Sequence, residues 1–223
     1  PSSSWSPGKT RRGWGVNERV VALFVESEGV YFGRPGVDPW DKARDAFGYV
    51  GDDPAVCHPP CERWGRYARG GPSAKTPRKV GDDGGAFAFS LSVVRRCGGV
   101  IEHPEGSLAW RHFSLPRPGW GRDAFGGYSL VVDQGAYGHP ARKRTWLYVV
   151  NAPLPLLRGP VERRQRLEPG FHSADEARAA RSSPDWTPPK RLTRAERVNT
   201  PPAFADLLIG IARSASPNRG VMP

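Results

Sequence analysis

Short apolar runs separated by helix-period segments set the expected framework of this chain. RVVALFV (residues 19–25) is rich in β-branched residues and has the pattern of a buried strand. PAVCH (54–58) reads as a second strand, stopped by Pro59 and Pro60, which cannot donate to a ladder. GVIEH (99–103) is a third. RTWLYVV (144–150) is the clearest, with β-branched and aromatic residues throughout. In GGAFAFSLSVVRRCG the residues Phe87, Leu91 and Val94 share one helical face, and Gly98-Gly99 end it. TPPAFADLLIGIARSA reads as a final amphipathic helix with Pro201 and Pro202 at its start, where proline is tolerated. A shorter helix is expected within DPWDKARDAF.

The polar stretches between these runs set the domain boundaries. Residues 1–18, rich in Ser, Pro, Gly and Arg, read as a flexible basic arm. Residues 19–213 read as one α/β domain, with 151–190 a loop-rich insertion and 214–223 a tail. Strands alternating with helices predict a mostly parallel sheet covered on both faces. Ligands in such sheets bind outside the carboxyl ends of the strands. Cys61 and Glu102 both lie at predicted strand ends, which places them on one rim.

Composition adds a partner class. The chain of 223 residues is 38% hydrophobic, enough for a core, and its 24 prolines and 27 glycines make it rich in loops. A formal charge of +11 predicts an anionic partner, most simply nucleic acid, with a generally basic surface as the plain alternative. Arg63, Trp64, Arg66, Tyr67 and Arg69 open a basic, aromatic segment suited to gripping a phosphate backbone and stacking on bases. Three cysteines give no disulfide framework and predict a reducing, cytoplasmic setting. No apolar run approaches the roughly 18 residues of a membrane span, and no apolar signal core opens the sequence.

Candidate chemistry gathers around the predicted rim. In His58-Pro59-Pro60-Cys61 two prolines stiffen the turn that carries the last thiol. Cys61 is either a structural cysteine or a nucleophile, its pKa lowered by Arg63, Arg66 or Arg69. Glu102 is either a capping or ion-pairing residue, or a carboxyl whose pKa burial raises beside a pocket. Arg142 and Arg144 precede the strand TWLYVV and suit phosphate or carboxylate binding, or else form a solvated charge cluster. Cys57, His58, Cys61 and His103 contain metal-ligand types, but the C-x3-C spacing is loose and no second cysteine pair exists, so no metal is assigned.

The order of these pieces resembles the DNA cytosine carbon-5 methyltransferases, in the form of a small, divergent, phage-type member. In that family a Pro-Pro-Cys turn presents the nucleophile, here Pro59-Pro60-Cys61. A later strand ends in Glu-Asn-Val, here Glu102-His103-Pro104. A Gly-x-Pro turn, here Gly138-His139-Pro140, leads to an Arg-x-Arg pair, here Arg142-Lys143-Arg144, before a buried strand. LTRAER resembles a Leu-Thr-x-x-Glu segment, and Asn199 precedes Pro201-Pro202 as the family's Asn precedes its prolines.

The resemblance implies a Rossmann-like methyltransferase sheet without a large target-recognition domain. It implies a DNA partner in a bacterial or phage-infected cell, and S-adenosylmethionine beside Phe24, Gly29, Asp38 and Asn199. It implies that Cys61 adds to carbon 6 of a pyrimidine, Glu102 holds the base, and Arg142 or Arg144 positions it. The same scaffold with another electrophile or with free nucleotides, or a non-catalytic nucleic-acid-binding protein, are the alternatives. The chain departs from the family where Glu26 and Glu28 stand near two glycine positions of the Phe-x-Gly-x-Gly-Gly loop. It also departs where His103 replaces Asn, where the Gln before Arg-x-Arg is missing, and in the short run from Val25 to Cys61.

Overall fold

The computed structural model describes residues 17–70, 75–161, 174–183 and 192–216. Residues 1–16 of the expected arm, 162–173 and 184–190 of the expected insertion, and 217–223 of the tail lie outside the described residues. The chain is of the α/β class, built on a six-stranded sheet in the order β2-β1-β3-β4-β6-β5. The strands are β1 (Val20–Leu23), β2 (Val37–Trp40), β3 (Ala55–Cys57), β4 (Gly99–Pro104), β5 (Tyr128–Asp133) and β6 (Arg144–Val150). The helices are α1 (Ala86–Cys97), α2 (Leu108–His112), α3 (Ala174–Ser182), α4 (Arg194–Val198) and α5 (Pro202–Arg213).

The four expected strands share this sheet. β2, β1, β3 and β4 are parallel, while β6 pairs antiparallel with both β4 and β5. Two reversals restore the original sense in β5, so only β6 runs against the rest of the described strands. The helix expected within DPWDKARDAF does not form. Val37–Trp40 is instead an edge strand, where Pro39 removes no ladder bond that the sheet needs. The Asp41 carboxylate then accepts from the N–H groups of Ala43 and Arg44 in a tight turn, leaving only a 3-10 turn at Ala46–Gly48. The stretch 151–190, expected to be loop, contains α3.

Strand alternation sorts the core into two layers. Val20, Ala22, Val56, Val100, Leu147 and Val149 face α5, meeting Phe204, Leu208 and Ile211. Val21, Leu23, Ala55, Cys57, Ile101, Tyr148 and Val150 face α1, meeting Phe87, Leu91, Val94 and the rings of Trp64 and Trp110. Gly99 shows why the α1–β4 junction is a glycine pair: at φ +125° its hydrogen faces the Ala55 carbonyl, and a Cβ would come within 2.0 Å of that oxygen. Among the described residues no helix is long and apolar enough to cross a membrane.

A candidate active site at the strand carboxyl ends

The carboxyl ends of β3 and β4 carry the side chains that the sequence singled out. β3 stops at Cys57, and the His58 N–H still donates to the Leu23 carbonyl of β1. Pro59 and Pro60 follow, and the chain turns at Cys61, whose carbonyl accepts from the N–H groups of Trp64 and Gly65. Cys61 is an exposed residue whose thiol is partly screened from solvent, whereas Cys57 and Cys97 are buried. The turn is anchored from below by Trp64, only 2% exposed, which packs on Phe87, His112 and Phe113. Its Nε1 donates to the Asp83 carboxylate, which also accepts from the Phe87 N–H at the start of α1.

This corrects the reading of Trp64 as a base-stacking residue, because its ring is committed to the core. Tyr67, 46% exposed, and the exposed Arg66 and Arg69 remain on the surface, with the Arg66 guanidinium over the Tyr67 ring. Arg63 is half-buried.

Glu102 lies within β4 on the α5 face, and polar groups occupy both of its oxygens. His58 Nδ1 lies 3.0 Å from Oε2, and Gln134 Nε2 donates to Oε1 at 3.2 Å. His58 Nε2 in turn lies 2.7 Å from the Tyr31 hydroxyl, and Gln134 Nε2 also donates to Thr145 Oγ1. The result is one hydrogen-bonded row, Tyr31–His58–Glu102–Gln134–Thr145, drawn from five segments of the domain.

The electrostatics differ from the expectation drawn from sequence. Burial pushes the Glu102 carboxyl up, but the hydrogen bond and charge of His58, with the charges of Lys143 and His103, outweigh it. The carboxyl is held below its ordinary value. Cys61 moves the other way: burial and the Glu102 charge raise its thiol, and Lys143 is the cation that lowers it. The anticipated activation by Arg63, Arg66 or Arg69 is thus replaced by a contest between Glu102 and Lys143.

Lys143 joins the site although no sequence motif marks it. The 3-10 turn after β5 prolongs the ladder, with the Gln134 N–H donating to the Lys143 carbonyl. Alternation then sends Lys143 and Thr145 to the α5 face with Glu102, and Arg142 and Arg144 outward. Lys143 is half-buried, and its Nζ donates to the Asn199 carbonyl at 3.3 Å. Burial pushes it below its ordinary value, against the pull of Glu102 and Cys61.

Arg142 and Arg144 are exposed and pair elsewhere, Arg142 with Asp133 and Arg144 with Glu105 at 2.7 Å. The turn before them is held by His139, whose Nδ1 and Nε2 meet the carbonyls of Ala141 and Glu196. Strand parity on RKRTW was the signal that could have found Lys143.

His103, next to Glu102, faces α1. It is 1% exposed, lies against Phe87 and Trp110, and meets Ser107 Oγ at 2.7 Å. Burial lowers it to about 4, despite the upward pull of Glu102 and of the Pro60 and Pro59 carbonyls, so it stands neutral behind the proline turn. Cys57 and His103 therefore lie on the opposite face from His58. Among the described residues no cluster of three or more His, Cys, Asp or Glu side chains is arranged for a metal ion.

The residues named for a cofactor flank the ends of β1 and β2. Phe24 follows β1 at φ 57°, a strained conformation for a bulky residue, and meets Phe47 and Phe89 edge-on. Asp38 accepts from Trp40 Nε1 and pairs with Arg44. Burial opposes its charge, but these bonds hold its carboxyl below the ordinary value. Gly29 closes the loop on the Glu26 carbonyl, and a Cβ there would lie 2.8 Å from that oxygen. Glu26 and Glu28 are exposed. Asn199 is exposed and caps the end of α4, whose start has a capping box between Thr193 and Glu196. No family model and no curated protein matches the chain.

Proposed function

We propose that the protein modifies a pyrimidine base in DNA through a Cys61 adduct, as a cytosine carbon-5 methyltransferase on a Rossmann-like sheet. The observation that carries this reading is the meeting of the thiol of a surface cysteine, an ionised, largely covered carboxylate and a lysine at one rim of a mostly parallel sheet. Carbon 5 of cytosine is a poor nucleophile. Cys61 sulfur bonds to carbon 6 as its thiol proton passes to nitrogen 3, and the electron pair of the 5,6 double bond moves into the ring, leaving carbon 5 enamine-like. Glu102, kept anionic, accepts from the ring N–H and the exocyclic amine, where positive charge develops. Lys143 favours the Cys61 thiolate over the thiol and offsets Glu102. After transfer, water takes the carbon 5 proton, the thiolate is expelled and recovers the nitrogen 3 proton, and the double bond is restored. A base in a duplex must flip out to reach this rim, at a cost of a few kcal/mol.

The residues present fit S-adenosylmethionine. Phe24 offers a partly exposed ring for a purine, and Asp38 an ionised carboxylate for ribose hydroxyls. Glu26 and Glu28 are exposed, so neither need face the carboxylate that this cofactor itself carries. When bound, that group supplies an electrophilic methyl. Arg66, Tyr67 and Arg69 would contact the DNA.

A 5-fluorocytosine oligonucleotide with S-adenosylmethionine tests the central step, because once carbon 5 has received a group the fluorine there cannot leave as a proton, elimination is blocked and the adduct persists. An oligonucleotide–peptide mass at Cys61, with 5-modified cytosine in the DNA of expressing cells, is the expected result. Adduct without modified DNA would point to another electrophile. No adduct at any salt would favour a non-catalytic nucleic-acid-binding protein.

A further inference from the structure

His58 stands one residue beyond β3, and Tyr31 lies on the β1–β2 connection that also carries Phe24 and Gly29. Neither residue belongs to the resemblance that marks Cys61 and Glu102. Both are nonetheless set in line behind the carboxylate: Tyr31 hydroxyl to His58 Nε2 at 2.7 Å, and His58 Nδ1 to Glu102 Oε2 at 3.0 Å. Tyr31 is 2% exposed, and its ring lies against the imidazole at 5.3 Å between centroids. We propose that Tyr31 and His58 are positioning residues, which pin the Glu102 carboxylate from behind and link the β1–β2 loop to the carboxylate that holds the base.

The chemistry fixes the roles. An ionised carboxylate only accepts, so His58 Nδ1 carries the proton of that bond. A singly protonated ring then accepts at Nε2 from the Tyr31 hydroxyl, and a doubly protonated ring donates from Nε2 to the same oxygen, so the Nδ1 bond to Glu102 stands in either state. Burial raises Tyr31 well above its ordinary value, so it remains a phenol and retains the proton that it donates. Gln134 completes the clamp by donating to the other oxygen, and Thr145 accepts its second N–H. With both oxygens tied, the carboxylate cannot rotate about its last bond, and its remaining lone pairs keep one direction. The charged and titratable groups around it include His58 beyond β3, Lys143 before β6, His103 on β4 itself, Tyr31 on the β1–β2 connection and Cys61 after the proline turn. Of these, only His58 bonds to it directly among the described residues. Movement of the β1–β2 loop would be felt by Glu102 through Tyr31.

This inference rests on Glu102 being the base-holding carboxylate, yet its test needs no substrate. Full-length protein labelled with 13C at the glutamate carboxyl gives a Glu102 signal, assigned by its loss in Glu102→Gln. The wild-type signal should titrate below the ordinary 4.5. In His58→Phe it should move above that value. In His58→Asn, whose amide nitrogen replaces Nδ1, it should return toward wild type. Tyr31→Phe should move it upward by less than His58→Phe does. Should His58→Phe fail to fold, imidazole 15N shifts of the wild type decide instead: a protonated Nδ1 supports the relay, and a bare Nδ1 overturns it.

Unchanged Glu102 titration in folded His58→Phe also overturns it. Adduct formation on 5-fluorocytosine DNA should fall about tenfold to a hundredfold in His58→Phe, the loss of one hydrogen bond to a charged group, and recover in His58→Asn. Wild-type protein that forms no adduct but shows these titrations would sink the methyltransferase reading and leave the relay standing.

Discussion

Glu102 and His103 are neighbours in β4, yet the two faces of the sheet treat them in opposite ways. Glu102 enters the α5 layer, where His58 and Gln134 donate to it and Lys143 faces it, and it stays charged although buried. His103 enters the α1 layer among Phe87, Trp110 and Ser107, and burial strips its charge. The same parity separates Lys143 from Arg142 and Arg144, and His58 from Cys57. Burial alone neutralises a group; burial with directed donors preserves its charge and aims it. The α5 face is thus suited to chemistry, and the α1 face to holding the proline turn and Trp64 in place.

The sharpest way to break this division is at the thiol. Cys61→Ala should abolish adduct formation and lower base modification by roughly three or more orders of magnitude, as loss of a nucleophile does, with the thermal melt unchanged. Modified cytosine at wild-type levels in this variant, measured by nucleoside mass spectrometry, would remove Cys61 from the site.

On the opposite face the effect should fall on stability. Trp64→Ala should cost about 3–5 kcal/mol in urea unfolding, as expected for a fully buried aromatic ring. Tyr67→Ala should leave unfolding within about 0.5 kcal/mol, as an exposed substitution does, while weakening DNA binding. The reverse pattern in unfolding would overturn the placement of Trp64 in the core and Tyr67 on the surface.

His103 gives the next largest effect through pH. Between the ordinary value of 6.5 and about 4, the unfolded chain binds a proton that native His103 refuses. Stability therefore falls as pH drops through that window, by up to about 3 kcal/mol. Glu102, held below 4.5, loses its share only at lower pH still. Urea midpoints from pH 7.5 to 4.5 should decline in the wild type and flatten in His103→Gln. Equal slopes in both would show that other groups control the acid limb.

The smallest effects should sort the three basic residues before β6. Lys143→Met removes the cation facing Cys61, so alkylation of that thiol by iodoacetamide at pH 8 should slow several-fold, about one pKa unit or less. Arg142→Ala and Arg144→Ala break exposed ion pairs, worth about 0.2–1 kcal/mol each, and should leave the alkylation rate unchanged. Slowing by Arg144→Ala as large as that by Lys143→Met would overturn the parity assignment.

Much of the framework was legible in the chain because apolar runs report burial directly. RVVALFV, PAVCH, GVIEH and RTWLYVV all contribute strands to one sheet, and GGAFAFSLSVVRRCG and PPAFADLLIGIARSA both supply helices. The edge strands were harder. Val37–Trp40 carries a proline and an aspartate, which only a strand with one free edge tolerates, and Tyr128–Asp133 lies at the other edge with half-buried positions. Cys61 and Glu102 could be picked out because a proline-stiffened turn and a charged strand end are visible locally.

Lys143 is marked only by strand parity, and the roles of Tyr31, His58, Gln134 and Thr145 cannot be read from local pattern. Their roles depend on partners 27, 44, 32 and 11 residues apart in sequence. The sequence by itself determined which residues must be buried and where the chain must turn, since hydrophobicity and proline geometry are properties of single residues. Tertiary structure alone decided which face each side chain joined, that Trp64 is an anchor, and that Glu102 keeps its charge. A charge state depends on the donors brought to it from other strands, and those arrive only when the sheet closes.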